Sequence, residues 1–218
     1  MKKKLLIFDL DGTLINTLED LNKATNVGLE KYGYPSRSLE ETRNDIGNGV
    51  KKLIERSIPG GKDNPDYLGV FNEFRSYYIT HYSEYSKPYK NTQETLSFLK
   101  NKGYKLAVVS NKFDEGAKKL VTTFFPDIFD VIQGSIETLN YKPYPDLVNK
   151  VLNELNINNK DALYIGDTEV DYETAINSKL DVVLVTYGYR KIEELLEKIK
   201  NPPLFINDIS GLIDFLSK

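Results

Sequence analysis

The segment Asp9-Leu10-Asp11-Gly12-Thr13 places two carboxylates two residues apart, directly behind the apolar run Leu5 to Phe8. Side chains at that spacing can enter one site, and Gly12 lets the backbone turn sharply between strand and loop. Two neighbouring negative charges repel unless a cation or a proton compensates them. At a strand end such a pair suits a magnesium ion, which prefers oxygen ligands and keeps waters and a substrate phosphate beside them. The same five residues also suit an acidic turn with no chemistry.

Three other clusters have chemistry-bearing residues. Ser110-Asn111-Lys112 follows the apolar run Leu106 to Val109. A hydroxyl and backbone amides at the start of a following helix form an anion cradle, although a plain helix cap is the commoner use. Lys142 stands in Tyr141-Lys142-Pro143-Tyr144-Pro145. The two prolines stiffen that loop, so a point charge is presented from a fixed position, as charge stabilisation at a phosphate needs. A solvated surface lysine is an equal alternative. Gly166-Asp167-Thr168-Glu169-Val170-Asp171 follows the run ending at Ile165. Asp167 sits where strand meets helix and Asp171 one turn further on the same face, which can complete a metal site. An acidic helix N-terminus stabilised by the dipole is the competing use. The bland alternatives weaken together, because all four clusters fall where one sheet edge is predicted.

That edge follows from the apolar runs. Leu5 to Phe8, Leu106 to Val109, Leu163 to Ile165 and Val182 to Val185 are short and continuous, as strands buried on both faces are. Helices are predicted between them: one from Asn91, capped with Glu94 and stopped at Gly103, and one opening at Pro145 and Asp146. Two more span Glu169 to Ser178 and Lys191 to Lys200. This alternation predicts an α/β fold, a doubly wound, Rossmann-like parallel sheet, with ligands bound beyond the carboxyl ends of its strands. From Thr17 to Tyr85 the periodicity is helical throughout. Thr17 with Asp20 and Ser38 with Glu41 have capping-box spacing, and Asn64-Pro65 opens a stripe through Phe71, Phe74 and Tyr78. Residues 16–86 are therefore expected to form an inserted helical cap, residues 1–15 and 87–218 the core, and Lys87-Pro88-Tyr89 the return hinge.

At 218 residues, 40% hydrophobic and 28% charged, the chain has the composition of a soluble globular protein. A net charge of -3 gives no footprint for nucleic acid. The basic start at Met1 to Lys4 is not followed by an export signal, and no segment is apolar enough to span a membrane, so no membrane association and a cytoplasmic location are expected. The absence of cysteine excludes disulfides and thiol chemistry. No G-x-G-x-x-G follows the first strand, which removes a dinucleotide-binding reading.

In this order, DLDGT, SNK, KPYPD and GDTEVD resemble the four motifs of the haloacid dehalogenase superfamily, and the segment from Tyr77 to SNK is most similar to its phosphoglycolate phosphatase branch. Two positions depart from the family pattern: Asn16-Thr17 replaces a common Asp-Ser, and no glycine follows Pro88-Tyr89. The resemblance implies that Asp9 attacks phosphorus to form an aspartyl-phosphate, and that Asp11 protonates the leaving alcohol and later activates water. It implies Mg2+ held by Asp9, the Asp11 carbonyl and Asp167, with Asp171 close behind. Ser110, Asn111, Lys142 and the Gly12-Thr13 turn would hold the phosphoryl group. Asp11 argues against a dehalogenase, whereas a β-phosphoglucomutase-type phosphomutase or a pyrophosphatase keeps all four motifs. A silent binding protein would be marked by loss of Asp9 or Asp11. The expected partner is a small phosphorylated metabolite, with the chain a monomer or homodimer. Arg43, Asn48 and Lys51, around the turn Ile46-Gly47-Asn48-Gly49, are candidates to read the leaving group, and His81 is expected to pack within the cap.

Overall fold

A computed structural model describes residues 3–217; Met1, Lys2 and Lys218, which include half of the basic start, lie outside the described residues. The strands are β1 (Leu5–Phe8), β2 (Ile15–Asn16), β3 (Lys87–Pro88), β4 (Lys105–Phe113), β5 (Val131–Ser135), β6 (Ala162–Gly166), β7 (Asp181–Val185) and β8 (Leu204–Ile206). Four helices lie between β2 and β3: α1 (Leu18–Lys31), α2 (Leu39–Asp45), α3 (Val50–Ser57) and α4 (Tyr67–His81). The others are α5 (Thr92–Asn101), α6 (Asp114–Phe124), α7 (Asp146–Leu155), α8 (Glu169–Asn177), α9 (Ile192–Lys198) and α10 (Gly211–Leu216).

Six strands form one parallel sheet in the order β5-β4-β1-β6-β7-β8. The chain builds outward from β1 through β4 and β5, then returns to β1's other side with β6, so strand order reverses at β1. A crevice opens beyond the carboxyl ends at such a point, and Asp9 and Asp11 stand in it. All four β1 side chains are fully buried. Leu6 and Phe8 pack with Leu96, Val108 and Leu120 on one face, Leu5 and Ile7 with Leu147, Val151 and Tyr164 on the other. The doubly wound α/β fold expected from the apolar runs is thus the observed one.

Several local expectations are corrected. Ser110-Asn111-Lys112 is not a helix start: β4 runs on to Phe113 with an irregular register against β5, and α6 begins only at Asp114. The Ser38 capping box forms, but Thr17 makes no capping bond. Asp20 instead accepts from the backbone N–H of Tyr85 (3.1 Å) and Ser86 (2.8 Å) and from the Ser86 hydroxyl (2.6 Å). Asn91 adopts a left-handed conformation, φ 60°, and donates its side-chain amide to Asp208 rather than capping α5.

The helical block has its own core, in which Leu21, Leu29, Leu53, Ile54, Val70 and Phe74 meet. Gly28 is required there, since a side chain on it would run into the Val70 carbonyl of α4. The crossings into and out of the block lie side by side, β2 pairing with β3 so that Ile15 faces Pro88 and Asn16 faces Lys87. No helix among the described residues is long and apolar enough to cross a membrane.

Candidate active site

Asp9 extends β1 by one residue, its N–H donating to the Ile165 carbonyl at 2.8 Å. Its carboxylate is buried, with Oδ1 2.8 Å from Lys142 Nζ. Lys142, 4% exposed, also contacts Asp171 Oδ1 at 2.7 Å and the Tyr164 hydroxyl at 3.3 Å. The other oxygen of Asp171 accepts from the Thr168 hydroxyl (2.7 Å) and the Thr168 and Asp167 N–H groups (3.0 and 3.3 Å), a capping box that fixes it against the start of α8. Asp167 is held by the Thr13 hydroxyl at 2.8 Å and the Tyr189 N–H at 2.8 Å. Carboxylate oxygens of Asp9, Asp167 and Asp171 lie within 4.8 Å of one another.

This crowding shows in the acidities. Burial, with the Asp171 charge adding and Lys142 opposing, pushes Asp9 up from 3.8 to about 7. Asp167 is raised well above the carboxylate range, by burial first and then by Asp171 and Asp9. Burial alone would lower Lys142, but the Asp171 and Asp9 carboxylates outweigh it and hold the ammonium charged.

Asp11 faces the other side. Lys112 Nζ lies 2.9 and 3.1 Å from its two oxygens, and the Thr17 hydroxyl donates to Oδ1 at 2.6 Å. Lys112 is 3% exposed and sits 4.8 Å from the centre of the Tyr78 ring. Burial would lower it, but Asp11 raises it further. Lys112, which has no assigned role in the sequence motif, lies on the extended β4 and lines the cavity.

Asn111 joins three parts of the site: Oδ1 accepts the Lys142 N–H at 2.8 Å, and Nδ2 donates to the Lys142 carbonyl (3.1 Å) and the Gly47 carbonyl (3.2 Å). Ser110 is buried and lines the same cavity. Gly12 has φ +90°, and a side chain there would strike Asp167 and Tyr189. Thr13 belongs with Asp167 rather than with an open substrate face, since its hydroxyl and carbonyl are both engaged.

The turn around Gly47 and Gly49 roofs a cavity of about 40 Å³ over Asp9, Asp11, Ser110, Lys112 and Lys142. Its flanking polar residues do not read that cavity. Arg43 donates to the Tyr189 carbonyl at 2.6 Å, Asn48 accepts from Arg56 at 2.8 Å, and Lys51 lines a neighbouring cleft of about 490 Å³. His81 stacks on Tyr77 with ring centres 4.0 Å apart, but it ends α4 with its side chain 37% exposed, so it is not packed within the cap core as expected.

The donor set fits a hard divalent cation. Every group in the Asp9, Asp167 and Asp171 cluster offers oxygen. With all four carboxylates ionised, the two lysines leave two negative charges uncompensated, and Asp9 Oδ1 has only its 2.8 Å ion pair with Lys142. One divalent ion would relieve both.

The sequence model of the haloacid dehalogenase-like hydrolases matches residues 6–185. Among curated relatives, the phosphoglycolate phosphatase of Aquifex aeolicus is 35% identical over 190 residues, 87% of each chain. That of Psychrobacter arcticus is 33% identical over all of this chain and 97% of its own. A provisionally named phosphoglycolate phosphatase from Lactobacillus delbrueckii subsp. bulgaricus superposes with TM-score 0.92 at 29% identity, covering 99% of both chains. With its buried carboxylates gathered at the switch point of a doubly wound sheet and the family's model matched across most of its length, the chain belongs to the haloacid dehalogenase-like hydrolases.

Proposed function

We propose that this protein is a magnesium-dependent phosphatase that hydrolyses a small phosphate monoester of the phosphoglycolate type through an aspartyl-phosphate on Asp9. The observation that carries the reading is the Asp9 carboxylate: buried, central, paired with Lys142 at 2.8 Å and clustered with Asp167 and Asp171. A carboxylate so placed is largely desolvated and lines the cavity, as a nucleophile must.

Asp9 would attack phosphorus while Asp11 gives its proton to the departing alcohol oxygen. Water then attacks the acyl phosphate as Asp11 takes a proton back, returning Asp9 as a carboxylate and releasing phosphate. Ser110, the Asn111 backbone and Lys142 hold the phosphoryl oxygens, so the work is mostly positioning and charge stabilisation. Asp9, the Asp11 carbonyl and Asp167 would hold magnesium, with Asp171 behind them and already committed to Lys142 and Thr168. The ion supplies positive charge to the phosphoryl oxygens. Lys112 keeps Asp11 anchored between turnovers. In this assignment residues 16–86 are the cap, and residues 1–15 with 87–218 the core.

The small cavity favours a small leaving group over a sugar, and the phosphoglycolate phosphatases among the relatives favour an acidic one. The test is phosphate release from phosphoglycolate, sugar phosphates, an aryl phosphate and pyrophosphate, with and without magnesium, alongside Asp9→Asn. Magnesium-dependent release, fastest from phosphoglycolate and lost in Asp9→Asn, is expected. Isomerisation of a sugar phosphate without net release would replace this reading with a mutase.

A further inference from the structure

Asp11 is the catalytic carboxylate whose side chain stands outside the metal cluster, so something else must aim it. The Thr17 hydroxyl donates to Asp11 Oδ1 at 2.6 Å, and the same hydroxyl lies 2.9 Å from the Tyr189 hydroxyl. The Thr17 N–H also donates to the Tyr189 oxygen at 3.0 Å. A hydroxyl has one proton, and Asp11, in the ionised form that takes a proton from water, only accepts. Thr17 therefore gives its proton to Asp11, and Tyr189 gives its own to Thr17. Each donor has one direction, and the chain ends on the carboxylate.

Tyr189 is also the place where the helical block grips the core. Its ring lies 2% exposed among the block's apolar residues, its N–H holds Asp167, and its carbonyl accepts from Arg43 at 2.6 Å. The next residue, Arg190, donates to the Arg43 carbonyl at 3.0 Å and the Ile46 carbonyl at 2.8 Å, in the turn that roofs the cavity. Thr17 itself stands at the hinge, between β2 and α1.

We propose that Thr17 and Tyr189 are positioning residues that aim Asp11 when the cap is closed, so that the closing surface and the proton-transferring group are joined by one hydrogen-bonded relay. This rests on the reading of Asp11 as acid and base. The Thr17 hydroxyl touches Asp11 and the Tyr189 hydroxyl touches Thr17, so both act through Asp11. A cap that swings away carries Thr17 and the Arg43 contact with it, and Asp11 is then left to Lys112 alone. Proton transfer is thereby confined to the closed, dry site.

The test compares Thr17→Val, Thr17→Ser and Tyr189→Phe with the wild type, by phosphoglycolate kinetics and by crystal structures of all four proteins. Thr17→Val and Tyr189→Phe should each lower kcat by about tenfold with KM changed by less than about twofold, the loss of one aligned hydrogen bond. Thr17→Ser, which keeps the hydroxyl, should stay within about threefold of the wild type. In the crystals the Asp11 carboxylate should be turned in Thr17→Val and unmoved in Thr17→Ser. An unmoved Asp11 in Thr17→Val, or a Thr17→Ser as slow as Thr17→Val, overturns the proposal. If the wild type releases no phosphate from any ester, the phosphatase reading falls, and the Asp11 positions still decide the relay.

Discussion

Asp9 and Asp11 leave the same strand two residues apart, yet different parts of the molecule hold them. The partners of Asp9 come from the core: Lys142 from the loop before α7, Asp167 from the end of β6, Asp171 from α8. Asp11 looks toward the helical block, where Lys112 lies against the Tyr78 ring of α4 and Thr17 precedes α1. The surroundings of the proposed nucleophile are therefore complete without the cap, whereas those of the proposed acid and base are assembled with it. A rigid sheet edge can store charge repulsion that a moving surface could not hold in register.

That contrast can be broken most sharply at Asp9 itself. Asp9→Asn should lower kcat by at least about 10³-fold while the fold is retained, measured by phosphate release and circular dichroism. Lys142→Met comes next: it leaves Asp9 and Asp171 buried beside each other without their cation, and should cost about 3–5 kcal/mol in urea unfolding as well as activity. Lys112→Met should cost less, about 1–3 kcal/mol, because Asp11 keeps Thr17 and touches solvent. Equal losses at the two lysines would erase the distinction between the regions.

A pH titration sharpens it further. In metal-free protein Asp9 titrates near 7 against an ordinary 3.8, so between those values the folded chain binds more protons than the unfolded one. Its contribution to stability is full below about pH 4 and is lost as pH rises through about 7. The melting temperature of EDTA-treated protein should therefore fall from pH 5 to pH 8, with the fall reduced by magnesium and by Asp9→Asn. A melting temperature that rises over this range would show that burial and the Asp171 charge do not raise Asp9. The smallest effect is expected at Arg43→Ala, which removes a latch contact rather than a substrate contact. Its ranking of phosphate esters should match the wild type, with kcat down about threefold or less.

The sheet was legible where burial on both faces leaves a continuous apolar run, as in Leu5 to Phe8 and Leu163 to Ile165. The flanking strands were not: Val131–Ser135 carries Gln133, and only three residues form β8 at the open edge, so neither has a run to notice. The four clusters of candidate residues were found because strand ends converge at one edge. Their partners were hidden. Thr17 and Asp20 have capping-box spacing, but their side chains are taken by Asp11, Tyr189 and Ser86, partners that local spacing cannot announce. Tyr189 lies 172 residues from Thr17, and no sequence pattern links them.

The paired crossings at Ile15–Asn16 and Lys87–Pro88 have a consequence for how this chain can be remodelled. Since the helical block leaves and rejoins the core at adjacent points, the core experiences it as a side loop, whose length adds little to the cost of closing it. Helices there can be lengthened, shortened or exchanged for another module with the same two anchor points, and the sheet edge need not shift. A change in the insert thus leaves the proposed phosphate-handling residues where β1, β4 and β6 end, provided the contacts of Thr17 to Asp11 and of Tyr78 to Lys112 are kept.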